Sequence, residues 1–241
     1  MTATVYLITG ANRGIGYSLV HRLSTRSNTT IYAGARNPAQ ATALHELSAK
    51  SAAKIVVVKL DSLNTQDPKD VAKQIEKEEG KVDVVIANAG IAKYFGPLTE
   101  TPLSEFQDHF DVNTKGPIVL FQATHALLEK SNKPTFVLLS TTGASIDTAV
   151  PFPVSAYGTS KIAANFVVAR IHAEHPKFIA FAVHPGFTNS DMGNEAAEAF
   201  GMEKAPNTLE ETSTGIVKLI DEGKREEKVK FWDFEGNTLG W

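Results

Sequence analysis

Short apolar runs rich in β-branched residues alternate with stretches of helical period along most of the chain. The runs at residues 5–9, 29–35, 54–60 (KIVVVKL), 82–87 (VDVVIA), 135–140 (TFVLLS) and 178–183 (FIAFAV) are predicted strands. Runs this apolar suit strands buried on both faces, as in parallel sheets. The stretches between them, residues 14–24, 38–50, 67–79, 104–129 and 155–174, are long enough for crossover helices. Strands alternating with helices imply βαβ units. The expected fold is α/β: a doubly wound, Rossmann-like parallel sheet of roughly seven strands flanked by helices.

Local chemistry marks several boundaries. Pro38, after Asn37, and Pro102 stand at helix starts, where a missing N–H costs nothing. Glu79-Gly80 reads as a helix stop and Lys133-Pro134 as the end of the helix before the fifth strand. Thr208 and Glu211 have the spacing of a capping box that opens a late helix through about residue 220. Residues 193–207, small and polar, have two readings, a lid over a substrate or a long loop. No repeat, low-complexity tract or linker interrupts the pattern, so residues 1–241 read as one domain.

Composition narrows the classes. A chain of 241 residues, 42% hydrophobic and 21% charged, buries a core without staples. The net charge of −3, with both signs spread, lacks the clustered basic face that nucleic acid requires, and no such partner is expected. The absence of cysteine removes disulfides, thiolate ligands and cysteine nucleophiles. The 7 histidines form neither an H-x-x-x-H nor an H-E-x-x-H pattern, and no metal site is expected. No apolar run approaches the roughly 18 residues of a membrane span. The opening MTATVYLITGANRG has no basic n-region and no cleavage site, so the expectation is a cytoplasmic protein without membrane contact. The apolar stretches at 112–128 and 157–171 are suited to packing against a second copy, in a homodimer or homotetramer.

The turn after the first strand, Thr9-Gly10-Ala11-Asn12-Arg13-Gly14-Ile15-Gly16, leads straight into the first helix. Glycine lets the backbone approach a pyrophosphate, and a helix N-terminus offers it free N–H groups. A dinucleotide fold that selects NAD usually ends its second strand in an acid that binds the ribose 2′-hydroxyl. Here the chain reads Ala33-Gly34-Ala35-Arg36. Arg36, with Arg13 on the other side, suits a 2′-phosphate, and the expected cofactor is NADP(H). In Tyr157-Gly158-Thr159-Ser160-Lys161 the phenol and ammonium lie four residues apart, on one helix face. A nearby cation favours phenolate, so the Tyr157 pKa is expected to fall and the residue to act as an acid–base group on a carbonyl or alcohol oxygen.

These elements, together with Asn88-Ala89-Gly90, Asn113 and Ser140, occur in the order found in the short-chain dehydrogenase/reductase family, whose compact single-domain form the chain resembles over residues 5–190. The resemblance implies an NADP(H)-dependent oxidoreductase that interconverts a small-molecule ketone or aldehyde and an alcohol. It implies Tyr157 as general acid/base, and Lys161 as the group that lowers its pKa and holds the nicotinamide ribose. Ser140 would donate to the substrate oxygen, and Asn113 would support a water that relays protons to Lys161. Asp61 would touch the adenine, and Asn88, Ala89 and Gly90 would pack beside the adenine ribose. Pro185-Gly186 would open the loop over the nicotinamide, with Thr188 and Ser190 as carboxamide or phosphate partners. Gly10, Asn12, Arg13, Gly14, Ile15, Gly16 and Arg36 complete the expected cofactor contacts. Two departures stand out. Ser190 replaces the family's usual threonine, and Leu139-Ser140 replaces a serine pair, with Ser140 preferred over Thr141 and Ser145.

His184-Pro185-Gly186-Phe187-Thr188-Asn189-Ser190-Asp191 and the terminal Phe231, Gly236 and Trp241 resemble the carbonyl-reductase-like branch. That branch includes norsolorinic-acid-type ketoreductases, sniffer-type and C-factor-like proteins. It implies a bulky aromatic or polyketide-like ketone. Two alternatives stay open, an acyl-carrier-bound 3-ketone substrate and a non-catalytic NADP(H)-binding sensor. Tyr94, Phe95, Phe152 and Phe187 would either wall a substrate pocket or pack in the core. His184 reads as structural, and residues 224–230 (KREEKVK) as a solvated turn.

Overall fold

Side chains alternate across each strand, and this divides the core into two halves. In β1 (Thr4–Ile8), Tyr6 and Ile8 join one apolar cluster while Val5 and Leu7 join the other. The computed structural model describes residues 3–241, and the first two residues of the expected domain lie outside the described ones. β2 (Thr29–Ala35), β3 (Lys54–Lys59), β4 (Val84–Ala87), β5 (Thr135–Leu139), β6 (Ile179–His184) and β7 (Lys230–Asp233) complete a parallel sheet ordered β3-β2-β1-β4-β5-β6-β7. The fold is the expected Rossmann-like α/β sheet flanked by helices.

One face is covered by α1 (Gly14–Leu23), α2 (Thr42–Ser48) and α8 (Leu209–Glu222), which contribute Leu19, Leu44 and Ile216 to the first cluster. The other is covered by α3 (Asp67–Glu79), α5 (Gly116–Leu128) and α6 (Ser155–Glu174), which contribute Ile75, Leu120 and Val168. The order of strand addition reverses between β1 and β4, and the loops leaving those two parallel strands open the crevice where ligands bind in such sheets.

Several expected boundaries shift. The stretch 38–50 breaks at Ala41 into a single 3₁₀ turn (Pro38–Gln40) and α2. The stretch 104–129 divides into α4 (Leu103–Phe110), a π turn (Asp111–Lys115) and α5. The last of these ends at Leu128, before Lys133-Pro134, and Ser131 beyond it hydrogen-bonds Asp83. The first part of the small, polar segment, residues 193–199, belongs to a helix, α7 (Asp191–Ala199), rather than to an irregular loop. The Ser190 hydroxyl caps it by accepting from the Gly193 N–H at 3.1 Å. The Thr208–Glu211 capping box is present at α8. β7 starts at the last residue of the KREEKVK stretch. Residues 237–241 fold back on its outer edge, where Leu239 N donates to Phe231 O and the Trp241 ring stacks on Phe231.

Candidate active site

Thr9 at the end of β1 ties the glycine turn to the loop after β4. Its hydroxyl accepts from the N–H groups of Asn88 and Ala89 at 3.0 and 2.9 Å. The Asn88 amide donates back to the carbonyls of Thr9 and Gly10 at 2.8 and 3.2 Å. Asn88 therefore spends its amide donors on holding the turn. A side chain at Gly16 would run into the Gly10 carbonyl, so this tight turn accepts only glycine there. α1 opens with no side-chain cap, leaving its first N–H groups without a side-chain acceptor.

These elements line a groove of about 220 Å³. Gly10, Asn12, Arg13, Gly14, Ile15, Arg36, Asp61, Asn88, Ala89, Gly90 and Ser190 all border it. Arg36 is exposed and makes no ion pair among the described residues. Arg13 is committed, its guanidinium pairing with Asp191 on α7 at 2.7 Å. This pair spans the groove from the glycine turn to the segment after β6, and no sequence pattern announced it. The donor set fits an extended dinucleotide. It combines an uncapped helix N-terminus for phosphates, a free guanidinium at one end, and at Gly90 a surface where an added Cβ would stand 3.1 Å from Asn113 Oδ1 and 3.3 Å from Lys161 Nζ.

Beyond Gly90 the predicted reactive residues converge. Lys161 is 3% exposed, and its ammonium donates to the Leu139 carbonyl at 2.8 Å and stands 5.9 Å from the centre of the Tyr157 ring. Burial lowers its pKa to about 8. The half-buried Tyr157 phenol is pushed up to about 12, because desolvation outweighs the hydrogen bond from Thr141. The expected fall in the Tyr157 pKa is thus reversed in this arrangement. The lysine serves Leu139, and loss of water dominates at the phenol. At neutral pH the phenol carries its proton, the state a proton donor requires.

Asn113 lies in the π turn, fully buried. Its Oδ1 accepts from Ile91 N at 2.8 Å, and its Nδ2 donates to Ile91 O at 2.9 Å and Ser160 Oγ at 3.0 Å. A π turn inside a helix often marks a functional position. This one turns Asn113 toward the loop after β4. Ser140, at the end of β5, is buried and donates to Asn165 Oδ1 at 2.6 Å. His109 escaped the sequence reading. It is fully buried, accepts from Lys93 N at 3.1 Å, hydrogen-bonds Glu105 O at 2.7 Å, and packs edge-on against the Tyr157 ring. His184 accepts from Thr142 N at 3.3 Å, a structural role, and burial lowers its pKa to about 4.

Ser140 and Tyr157 open onto a second cavity, of about 210 Å³, which shares Ile15, Ser190 and Met192 with the groove. Pro185, Gly186 and Thr188 border it. The Thr188 hydroxyl is engaged within the protein, donating to Pro185 O at 2.9 Å and sharing a bond with Thr212. Phe95, Phe152 and Phe187 line the wall, whereas Tyr94 turns away to donate to Glu100 O. A fourth ring, Phe200 at the end of α7, organises the wall. It stacks on Phe152 at 4.4 Å, meets Phe95 edge-on at 5.4 Å and tilts against Phe187 at 6.3 Å. A larger recess of about 330 Å³ between α8 and β7 contains none of the predicted reactive residues.

The model of the short chain dehydrogenase family matches residues 4–200. The chain belongs to that family. It is 37% identical to the norsolorinic acid ketoreductase of Emericella nidulans over 246 residues, 99% of this chain and 94% of the relative. It is also 37% identical to that of Aspergillus parasiticus over 250 residues, 99% and 91% of the two chains. Among solved structures, the NADPH-bound carbonyl reductase from chicken fatty liver superposes with a TM-score of 0.88 at 25% identity, covering 100% of both chains. The carbonyl reductase Sniffer of D. melanogaster gives 0.87 at 25% identity, again over 100% of both. Membership makes the chain an oxidoreductase. Among the described residues no helix is long and apolar enough to cross a membrane, and no group of three or more His, Asp or Glu could hold a metal ion.

Proposed function

We propose that this chain, acting as one domain, is an NADP(H)-dependent ketoreductase for a bulky aromatic, polyketide-like ketone. The observation that carries the reading is the aromatic-walled cavity that opens on Tyr157 and Ser140 and joins the glycine-lined groove. The ketoreductase relatives and the NADPH-bound structural neighbour support it.

NADPH, when bound, supplies the hydride that reduces the carbonyl carbon. The chain's residues do the rest. The N-terminus of α1 favours the pyrophosphate, and Arg36 holds the 2′-phosphate. Arg13 joins it by exchanging its Asp191 partner. Ser190 and Asp61 fix the two ends of the dinucleotide, joined by Thr188 once its hydroxyl releases the Pro185 carbonyl, and Gly90 leaves room between them. Lys161 holds the ribose beside Tyr157 and Asn113 keeps the proton path to Lys161 open. Tyr157 gives its phenolic proton to the substrate oxygen, and Ser140 donates a hydrogen bond to the same atom. Two donors aimed where negative charge develops constitute oxyanion-type stabilisation. Phe95, Phe152, Phe187 and Phe200 hold the aromatic body of the substrate and exclude water.

A second copy of the chain is the proposed partner of the outer face of α6, where Phe166 stands 67% exposed, while the edge of β7 is covered by residues 237–241. A monomer mass by light scattering over a wide concentration range would remove that part. The proposed location is the cytoplasm. The functional test is NADPH oxidation with acetonaphthone, butanone and an acetoacetyl thioester compared side by side. The reading expects the highest kcat/KM for acetonaphthone. Preference for the thioester would transfer the assignment to carrier-bound 3-ketones, and absence of turnover with every carbonyl would favour a sensor.

A further inference from the structure

Ser140 and Asn165 form a buried pair with a defect. The Ser140 hydroxyl donates to Asn165 Oδ1 at 2.6 Å, and both residues are buried. The Asn165 amide nitrogen is buried too, with no hydrogen-bond partner among the described residues. A serine hydroxyl has a single proton to donate. While that proton is committed to Asn165 it cannot reach a substrate oxygen, although Ser140 borders the cavity. The arrangement leaves a donor unpaired and holds the reactive proton in the wrong direction.

A half-turn of the Asn165 carboxamide resolves both problems. Nδ2 then donates to Ser140 Oγ, the orphaned donor is satisfied, and the Ser140 proton is free to point into the cavity. The atom left over is a carbonyl oxygen, which tolerates an unfilled hydrogen bond better than an N–H does. Asn165 lies on α6 one turn beyond Lys161 and does not border the cavity, so it acts through the serine rather than on the substrate. We infer that Asn165 is a positioning residue that turns the Ser140 hydroxyl proton toward the substrate oxygen. The inference rests on Ser140 binding that oxygen, as proposed above.

The test is a double-mutant cycle on the full chain with NADPH and acetonaphthone, using Asn165→Asp, Asn165→Leu and each combined with Ser140→Ala. An ionised carboxylate only accepts, whereas a protonated one donates as the amide does, so Asn165→Asp is assayed across pH and turns the serine proton away once its carboxyl ionises. Its kcat should then fall about 100-fold, the scale of one lost oxyanion donor. KM and the NADPH Kd should stay within about twofold, since only transition-state stabilisation is removed. Asn165→Leu removes both donor and acceptor and should lose only about tenfold in kcat. In the Ser140→Ala background both losses should nearly vanish, because the residue they act through is gone. If Asn165→Asp does not fold, the Asn165→Leu cycle carries the same comparison. Losses that multiply with that of Ser140→Ala, or an Asn165→Asp enzyme with wild-type kcat at every pH, would overturn the positioning role while leaving Ser140 in place. Wild-type turnover by Ser140→Ala alone would overturn the Ser140 assignment and this role with it.

Discussion

Lys161 is expected to be a stability liability that function retains. Its ammonium is 3% exposed and has one acceptor among the described residues, the Leu139 carbonyl at 2.8 Å. Lowering an amine from its ordinary 10.5 to about 8 corresponds to about 3 kcal/mol against the buried charge. Lys161→Met fills the same channel without the charge. It leaves the Leu139 carbonyl without its donor, at a cost of about 1 kcal/mol. The net expectation at pH 7 is a gain of about 2 kcal/mol, or a Tm higher by about 4–8 °C for a chain of this length. The same substitution should abolish turnover. The pH dependence identifies the cause. The folded protein releases this proton near pH 8 and the unfolded chain near 10.5, so between those values the unfolded state holds more protons. Wild-type stability from this group therefore rises with pH across that window, and the advantage of the variant should close. Groups remote from Lys161 cancel in the difference between the two melting curves, and Tyr157, pushed up to about 12, keeps its proton through the window. Paired thermal melts from pH 7 to 10.5 measure it. A variant that melts below wild type at pH 7, or a gap that stays constant across the window, would show that the buried ammonium does not cost stability.

Two further outcomes follow from the walls of the site. Phe200→Ala removes the ring that stacks on Phe152 and meets Phe95 and Phe187. Losing one aromatic pair of about 1–1.5 kcal/mol should lower kcat/KM for acetonaphthone about tenfold. Butanone turnover should change little, and equal losses on both substrates would contradict an aromatic subsite. Arg36→Ala deletes a guanidinium that borders the groove and has no ion-pair partner among the described residues. A charge-assisted hydrogen bond of about 1.5–3 kcal/mol is lost, so NADPH should bind roughly 10- to 100-fold more weakly with NADH affinity unchanged. Fluorescence titration with both cofactors measures this, and parallel losses would remove Arg36 from 2′-phosphate recognition.

Much of the fold was readable because local signals agreed with the global pattern. α3 and α6 run over the residues their periodicity predicted, and the strands fall within about two residues of their apolar runs. The misses have physical reasons. Gly116-Pro117 lay inside a helical period and marked the seam after the π turn, but π geometry has no residue signature of its own. α7 offers mainly alanine to its neighbours, so its period was weak, although Ser190 ahead of Asp191 was a readable N-cap. β7 has only 4 residues and follows a charged run. At the site, the glycine turn and the Tyr157–Lys161 spacing carry a signal in the residues themselves, whereas Ser140 and Asn113 enter only through the family resemblance. His109, Asn165 and Phe200 were not legible. A histidine on α4, an asparagine within α6 and a phenylalanine closing α7 gain their roles only from partners elsewhere in the chain. The reversal of the Tyr157 shift was hidden for the same reason. Spacing gives proximity to a cation, whereas desolvation depends on how the whole crevice closes.

In the proposed reaction the Tyr157 phenol delivers the proton to a carbonyl held in this cavity. Tyr157→Phe removes one oxygen and little else, and single-turnover reduction of acetonaphthone by the NADPH-loaded variant measures the consequence. The rate should be at least about 100-fold lower, with NADPH affinity nearly kept. A rate equal to wild type would contradict it.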